Sequence, residues 1–164
     1  GIVQYIDTAK AIREKYPNTR FHVVGFGEPE YEEQMRRLDA EGVLVFHGLS
    51  NDVRKEIQNF HCVIHPTFYP EGMSNVLLES AASGRPIIST DRFGCREAID
   101  DGRNGFIVRE RDSADLIEKT EKFMQLTPQE REEMGKCGRE KMEREFDRNI
   151  VVQKYLDAVA EYTV

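Results

Sequence analysis

Apolar positions along this chain alternate between two rhythms, one of helix faces and one of short buried strands. Ile2, Ile6, Ala9 and Ile12 recur at the spacing of one helical face, so an amphipathic helix opens the chain. Tyr16, Pro17 and Asn18 break that period, and the β-branched run 21–25 predicts a buried strand. Pro29 sits where a first helical turn tolerates it, Glu30, Glu32 and Glu33 suit a helix N-terminus, and Gly42 closes the segment ahead of a strand at 43–46. Ser50 or Asn51 caps a helix running through Phe60, which leads into an apolar strand at 62–64 stopped by Pro66. A loop at 67–73 then precedes a helix over about 74–83, and Gly84, Arg85 and Pro86 end it before a strand at 87–90. A turn cluster at 101–105 leads to a strand at 106–108, and the rest reads as helices, one of them opened by Thr127 and Pro128.

Short apolar strands separated by helices predict a mostly parallel sheet, because parallel neighbours need crossover connections and those crossovers cover both faces. The expected fold class is therefore a doubly wound α/β domain. In such sheets ligands bind beyond the carboxyl ends of the strands, which directs attention to the loops after Val24, Phe46, Ile64 and Thr90.

Composition narrows the chemistry. At 164 residues the chain has the size of one domain, residues 1–164, able to bury its own core. The hydrophobic fraction of 39% and charged fraction of 32% are those of an ordinary globular protein, and no apolar run approaches the roughly 20 residues of a membrane helix. A net charge of −7 argues against a nucleic-acid footprint, while leaving room for a single phosphate pocket. Cys62, Cys95 and Cys137 are odd in number and widely spaced, which suits a reducing cytosol, with Cys62 expected to be buried. His22, His47, His61 and His65 show no ligand spacing, so no metal site is expected. The charged run from Gln129 to Arg148 reads as a solvated helical face.

The segment 70–79 joins a strand-end loop to a helix, placing free N–H groups where the helix dipole is positive. Gly72 lets a ligand approach the main chain and Ser74 can cap the helix, so amides could hold a diphosphate without a Walker-type lysine. Glu71 in the loop and Glu79 in the helix should flank opposite ends of a bound diphosphate sugar. A glycosidase pair is the weaker reading of the same two acids. Gly25 and Gly27 lack the remainder of a dinucleotide fingerprint, and a tight turn explains them equally well. Leu49 either lies against a nucleotide base or belongs to the core, and Arg96 and Glu97 are similarly open.

Glu71 through Glu79, followed by Ala81, Ala82, Ser83, Gly84, Arg85, Pro86, Ile87 and Ile88, resembles the E-x7-E signature of retaining GT-B glycosyltransferases. Val24-Gly25-Phe26-Gly27, Phe46-His47-Gly48-Leu49, His65-Pro66 and Gly94-Cys95-Arg96-Glu97 are similar to that family's other landmarks, in the same order, so the resemblance covers nearly the whole chain. It implies a Rossmann-like, C-terminal, donor-binding half of a two-domain enzyme. It also implies that Glu71 contacts the transferred sugar, Glu79 the ribose, and Gly72, Met73, Ser74 and Asn75 the diphosphate through the main chain. Met73, Ser74 and Asn75 depart from the aromatic, glycine and apolar residues common there, which leaves donor choice open.

The family's strand, arginine and lysine before the position of Gly1, and its acceptor-binding domain, are expected outside residues 1–164. The implied donor is a nucleotide-diphosphate sugar, a UDP-sugar favoured and a GDP-sugar possible, with no cofactor. The implied acceptor is a glycan or glycolipid of cell-surface polysaccharide synthesis, reached through the N-terminal domain, at a cytoplasmic location or the inner face of the membrane. Tyr155, Leu156, Val159 and Tyr162 are expected either to pack on that domain or within this one. A non-catalytic nucleotide-sugar-binding module and a nucleotide-sugar epimerase half-domain are the alternatives.

Overall fold

The computed structural model describes residues 1–70 and 72–162. In chain order the elements are α1 (Ile2–Lys15), β1 (His22–Val24), α2 (Pro29–Ala40), β2 (Val45–Gly48), α3 (Val53–Ile57), β3 (Val63–His65), α4 (Asn75–Ala82) and β4 (Ile87–Thr90). A 3₁₀ turn (Arg96–Ala98), β5 (Gly105–Val108), α5 (Ser113–Gln125), α6 (Pro128–Glu145) and α7 (Arg148–Glu161) follow.

The helical period of α1 is realised as predicted: Ile6, Ala9 and Ile12 are buried and join Phe21, Met35, Leu38 and Leu44 in one apolar cluster. Leu77 and Ala81 of α4 pack with Ile87 and Met142 in a second. Ile88, Phe106, Val108, Leu116 and Phe123 form a third. All four residues of β4 are buried, as befits a central strand.

Every ladder is parallel, so the α/β class holds, and the described strands fall into two sheets. β1 pairs with β2, and β3, β4 and β5 form a separate three-stranded sheet with β4 in the middle. Ile64 of β3 packs against both the first and the third clusters, so side chains bridge where no main-chain ladder does.

Several boundaries differ from the expected ones. The helix foreseen from Ser50 to Phe60 shrinks to the five residues of α3, because the Ser50 hydroxyl spends itself locally, accepting from the Asp52 N–H and donating to Glu56. β2 begins at Val45, not Val43, since the first ladder bond runs from the Val45 N–H to the Phe21 carbonyl. α6 carries a full capping box between Thr127 and Glu130, a stronger start than Pro128 alone. Its charged face is not solvated throughout: Lys141 is buried and its ammonium reaches Asp100 at 2.8 Å and Glu145 at 3.0 Å. Burial disfavours that charge, and the hydrogen bonds to the two carboxylates outweigh it, holding the Lys141 pKa above its ordinary value. Cys95 is the fully buried cysteine, whereas Cys62 is half-buried as a residue with a shielded thiol that burial pushes up. α7 buries none of its residues, and Tyr155, Leu156, Val159 and Tyr162 are each more than half exposed.

Candidate functional site

The loop 66–74 leaves the carboxyl end of β3 and delivers the chain to α4. The end of β3 and this loop are held to β4 and the residues just after it by hydrogen bonds that reach across more than twenty residues of sequence. The Ser89 hydroxyl donates to the His65 carbonyl at 2.6 Å, the Thr90 hydroxyl to the Thr67 carbonyl at 2.5 Å, and the Arg92 Nε to the Tyr69 carbonyl at 2.9 Å. At the far end the Ser74 N–H donates to the Gly94 carbonyl at 2.8 Å, while the Gly94 N–H donates to Glu97 at 2.8 Å. Glu97 thus fixes the Gly94 peptide, and the Gly94 peptide fixes the start of α4.

Ser74 stands at the N-cap position, but its hydroxyl does not cap the helix as the sequence suggests. The Leu77 and Leu78 N–H groups both donate to the Ser74 carbonyl at 3.1 Å. Asn75 and Val76 have no backbone acceptor among the described residues, and no acidic side chain occupies the first turn. Ser74 Oγ is itself buried without a hydrogen-bond partner, on a residue that is 1% exposed. An unsatisfied buried hydroxyl is costly unless something completes it. The mouth of α4 therefore combines two free amides, the positive end of the helix dipole and an orphaned hydroxyl, a combination suited to oxygen-rich anions.

Glu79 lies one turn above Asn75 on the same exposed face, with Val76 beside them. Its carboxylate has no ion-pair partner among the described residues, so it is free to accept from a ligand hydroxyl. Gly72 is exposed with open space where a side chain would stand, and Met73 is half-buried. Glu71 lies outside the described residues.

Gly25 and Leu49 stand at the carboxyl ends of the other sheet. Gly25 adopts a φ of 138° and its N–H donates to the Gly48 carbonyl at 2.8 Å, tying the two loops together where the β1–β2 register shifts. Leu49 is 69% exposed and Phe26 78% exposed, so the core alternative for Leu49 fails and an apolar rim remains. Gly27, two residues on in the same loop, has an ordinary φ and its only close neighbour among the described residues is Tyr31. Nearby on the strands, His22 Nδ1 and His47 Nε2 are 2.9 Å apart and stacked at 5.2 Å between ring centroids. His47 Nδ1 is 3.9 Å from Glu56.

No group of three or more His, Cys, Asp or Glu side chains is placed to hold a metal ion among the described residues. No helix among them is long and apolar enough to cross a membrane. A surface groove lined by His61, Arg85, Arg131 and Lys136 lies at the opposite end of α4 and contains none of these candidate residues. The structure thus gathers Gly72, Met73, Ser74, Asn75 and Glu79 on one loop and helix, and Gly25 and Leu49 at the end of the second sheet. Sequence reasoning missed Ser89, Thr90 and Arg92, whose sequence signal is two adjacent hydroxyls in an otherwise apolar strand followed by a cation, and left Glu97 open.

Residues 1–125 match the family model described as glycosyl transferases group 1. The capsular polysaccharide biosynthesis glycosyltransferase CapM of Staphylococcus aureus is 30% identical over 154 residues, covering 92% of this chain and 40% of that protein. The Vi polysaccharide biosynthesis protein VipC/TviE of Salmonella typhi is 36% identical over 115 residues, covering 68% of this chain and 20% of that protein. Among solved structures, a mutant of TarM from S. aureus in complex with fondaparinux, alpha-GlcNAc-glycerol and UDP superposes with a TM-score of 0.84 at 21% identity, covering 95% of this chain and 32% of that one. This chain spans well under half the length of each of these relatives.

Proposed function

The chain belongs to the glycosyl transferases group 1 family, and from that membership we propose that residues 1–164 are the donor-binding half of a two-domain, retaining GT-B glycosyltransferase of cell-surface polysaccharide or glycolipid synthesis. The donor is a nucleotide-diphosphate sugar, with UDP preferred over GDP because the TarM neighbour was solved with UDP. The free amides of Asn75 and Val76 and the hydroxyl of Ser74 take the diphosphate oxygens. Glu79 accepts from the ribose hydroxyls, Gly25 and the exposed Leu49 border the base, and Glu71 meets the transferred sugar.

In the whole protein the bond between the anomeric carbon and the diphosphate breaks while a bond to an acceptor hydroxyl oxygen forms with the configuration retained, and the hydroxyl proton passes to the departing diphosphate oxygen. Negative charge grows on the leaving diphosphate as the sugar becomes oxocarbenium-like. The amides at the mouth of α4 are already oriented toward that charge, so they stabilise it without reorganising. The acceptor glycan or glycolipid is handled by a domain outside residues 1–164, working at the cytoplasmic side of the membrane.

The single observation that carries this reading is the buried, partnerless Ser74 hydroxyl at the entrance of a helix whose first two amides are also unpaired. Calorimetric titration of UDP, GDP and ADP and their sugars tests it. UDP binds most tightly, and Glu79→Ala weakens that binding by about 1–3 kcal/mol, the range of a lost charged hydrogen bond. Unchanged affinity in the variant removes the ribose role. If turnover assays on the full-length protein with donor and acceptor give no transfer although donor binds, a passive binding module is the better description.

A further inference from the structure

Four arginines stand near the carboxyl ends of β4 and β5, and three of them are neutralised. Arg92 donates twice to Glu110, at 2.9 and 3.1 Å. Arg96 lies 3.3 Å from Asp91 and 3.5 Å from Glu97, and Arg109 lies 3.1 Å from Asp112 and 3.5 Å from Asp115. Arg111 has no carboxylate partner among the described residues. Its guanidinium carbon instead lies 4.3 Å from the centre of the Phe68 ring, which stacks on Tyr69 at 5.0 Å.

The backbone of Arg111 is as unusual as its side chain. With a φ of 57° it is the only non-glycine residue in the left-handed region among the described residues. Glycine would serve such a turn without the steric penalty, so the strain accompanies a side chain placed for something other than the turn. Phe68 belongs to the loop 66–74 that delivers the free amides of α4. Gly1 abuts the Pro66 carbonyl in that same loop. A guanidinium resting on an aromatic face keeps its N–H edge available to an oxyanion. In a chain of net charge −7, a cation without a carboxylate partner among the described residues, resting on the loop that leads into α4, stands out.

We propose that Arg111 is a diphosphate-binding residue, the cation that this domain itself contributes to the phosphates of the nucleotide held at α4. The proposal rests on the donor-site reading above. Phe68 acts as the shelf that aims the guanidinium, and the loop hydrogen bonds from Thr90 and Arg92 hold that shelf in place.

Calorimetry with UDP and with uridine as probes, on the wild type, Arg111→Gly and Arg111→Lys, decides the matter, with urea denaturation run in parallel. Arg111→Gly is expected to keep or raise the urea midpoint, because glycine accepts this φ without strain. It should bind uridine as the wild type does and UDP about tenfold more weakly. Arg111→Lys should fall between the two, and the UDP affinity of Arg111→Gly should depend less steeply on salt. Equal UDP affinity in wild type and Arg111→Gly overturns the role of Arg111, as does an equal loss for uridine and UDP. If the wild type binds neither probe, the donor site itself is refuted, an outcome distinct from a failure confined to Arg111.

Discussion

At the scale of single residues, the pair of imidazoles on β1 and β2 sets a pH dependence. Burial, then the neighbouring charge of His47 and that of Arg20, lower the pKa of His22, and Glu56 opposes them only in part. The folded state therefore holds fewer protons at His22 than the unfolded state does below about pH 6.5, the ordinary histidine value. The stability that His22 contributes is therefore complete above that value and is lost as pH falls through the window beneath it. Urea midpoints measured from pH 7.5 down to 5.5 should decline, and His22→Gln should flatten the decline. A midpoint that rises on acidification would refute the assignment. Some single residues were readable from the sequence and others were not. The placement of Glu79 on α4 and of Gly72–Asn75 at its mouth follows from a strand–loop–helix pattern, because helix ends expose amides whatever the tertiary context. Ser89, Thr90 and Arg92 act by reaching carbonyls some 23 to 24 residues away, and no local pattern encodes that.

At the scale of elements, local chemistry and tertiary demand divide the work. The carboxylate of Asp112 caps α5 by accepting from the Asp115 N–H at 2.9 Å, and α5 packs along α1 with Leu116 and Phe123 buried. Asp112→Ala should cost about 1 kcal/mol of stability in urea denaturation, the usual value of an N-cap side chain. A cost near zero would mean that α1 packing alone defines the helix start. The predicted elements that match best, α1 and β4, are those whose period or burial leaves no choice of phase. An unbroken apolar run such as 43–46 carries no alternation, so the start of β2 depends on where its ladder with Phe21 begins. α3 illustrates the reverse case, in which polar side chains that cap well also hydrogen-bond within their own turn and shorten the helix.

At the scale of the molecule, the parallel class was legible from the alternation of strands and helices, whereas the order of the strands within each sheet was not. Strand number and pairing depend on which segments share a ladder, and hydrophobic runs alone do not report that. The same holds for α7, whose Val151, Tyr155, Leu156 and Val159 are apolar in sequence and at least half exposed in space. Both sheets carry candidate residues at the carboxyl ends of their strands, one leading to the Asn75 and Val76 amides and the other to Gly25 and Leu49. The most direct test is an amide-resolved NMR titration of this chain with UDP. Binding at the mouth of α4 predicts the largest shifts at the Gly72, Asn75 and Val76 amides, with smaller ones near Leu49. Shifts confined to the groove around Arg85 and Arg131, or an unchanged spectrum at saturating UDP, would contradict it.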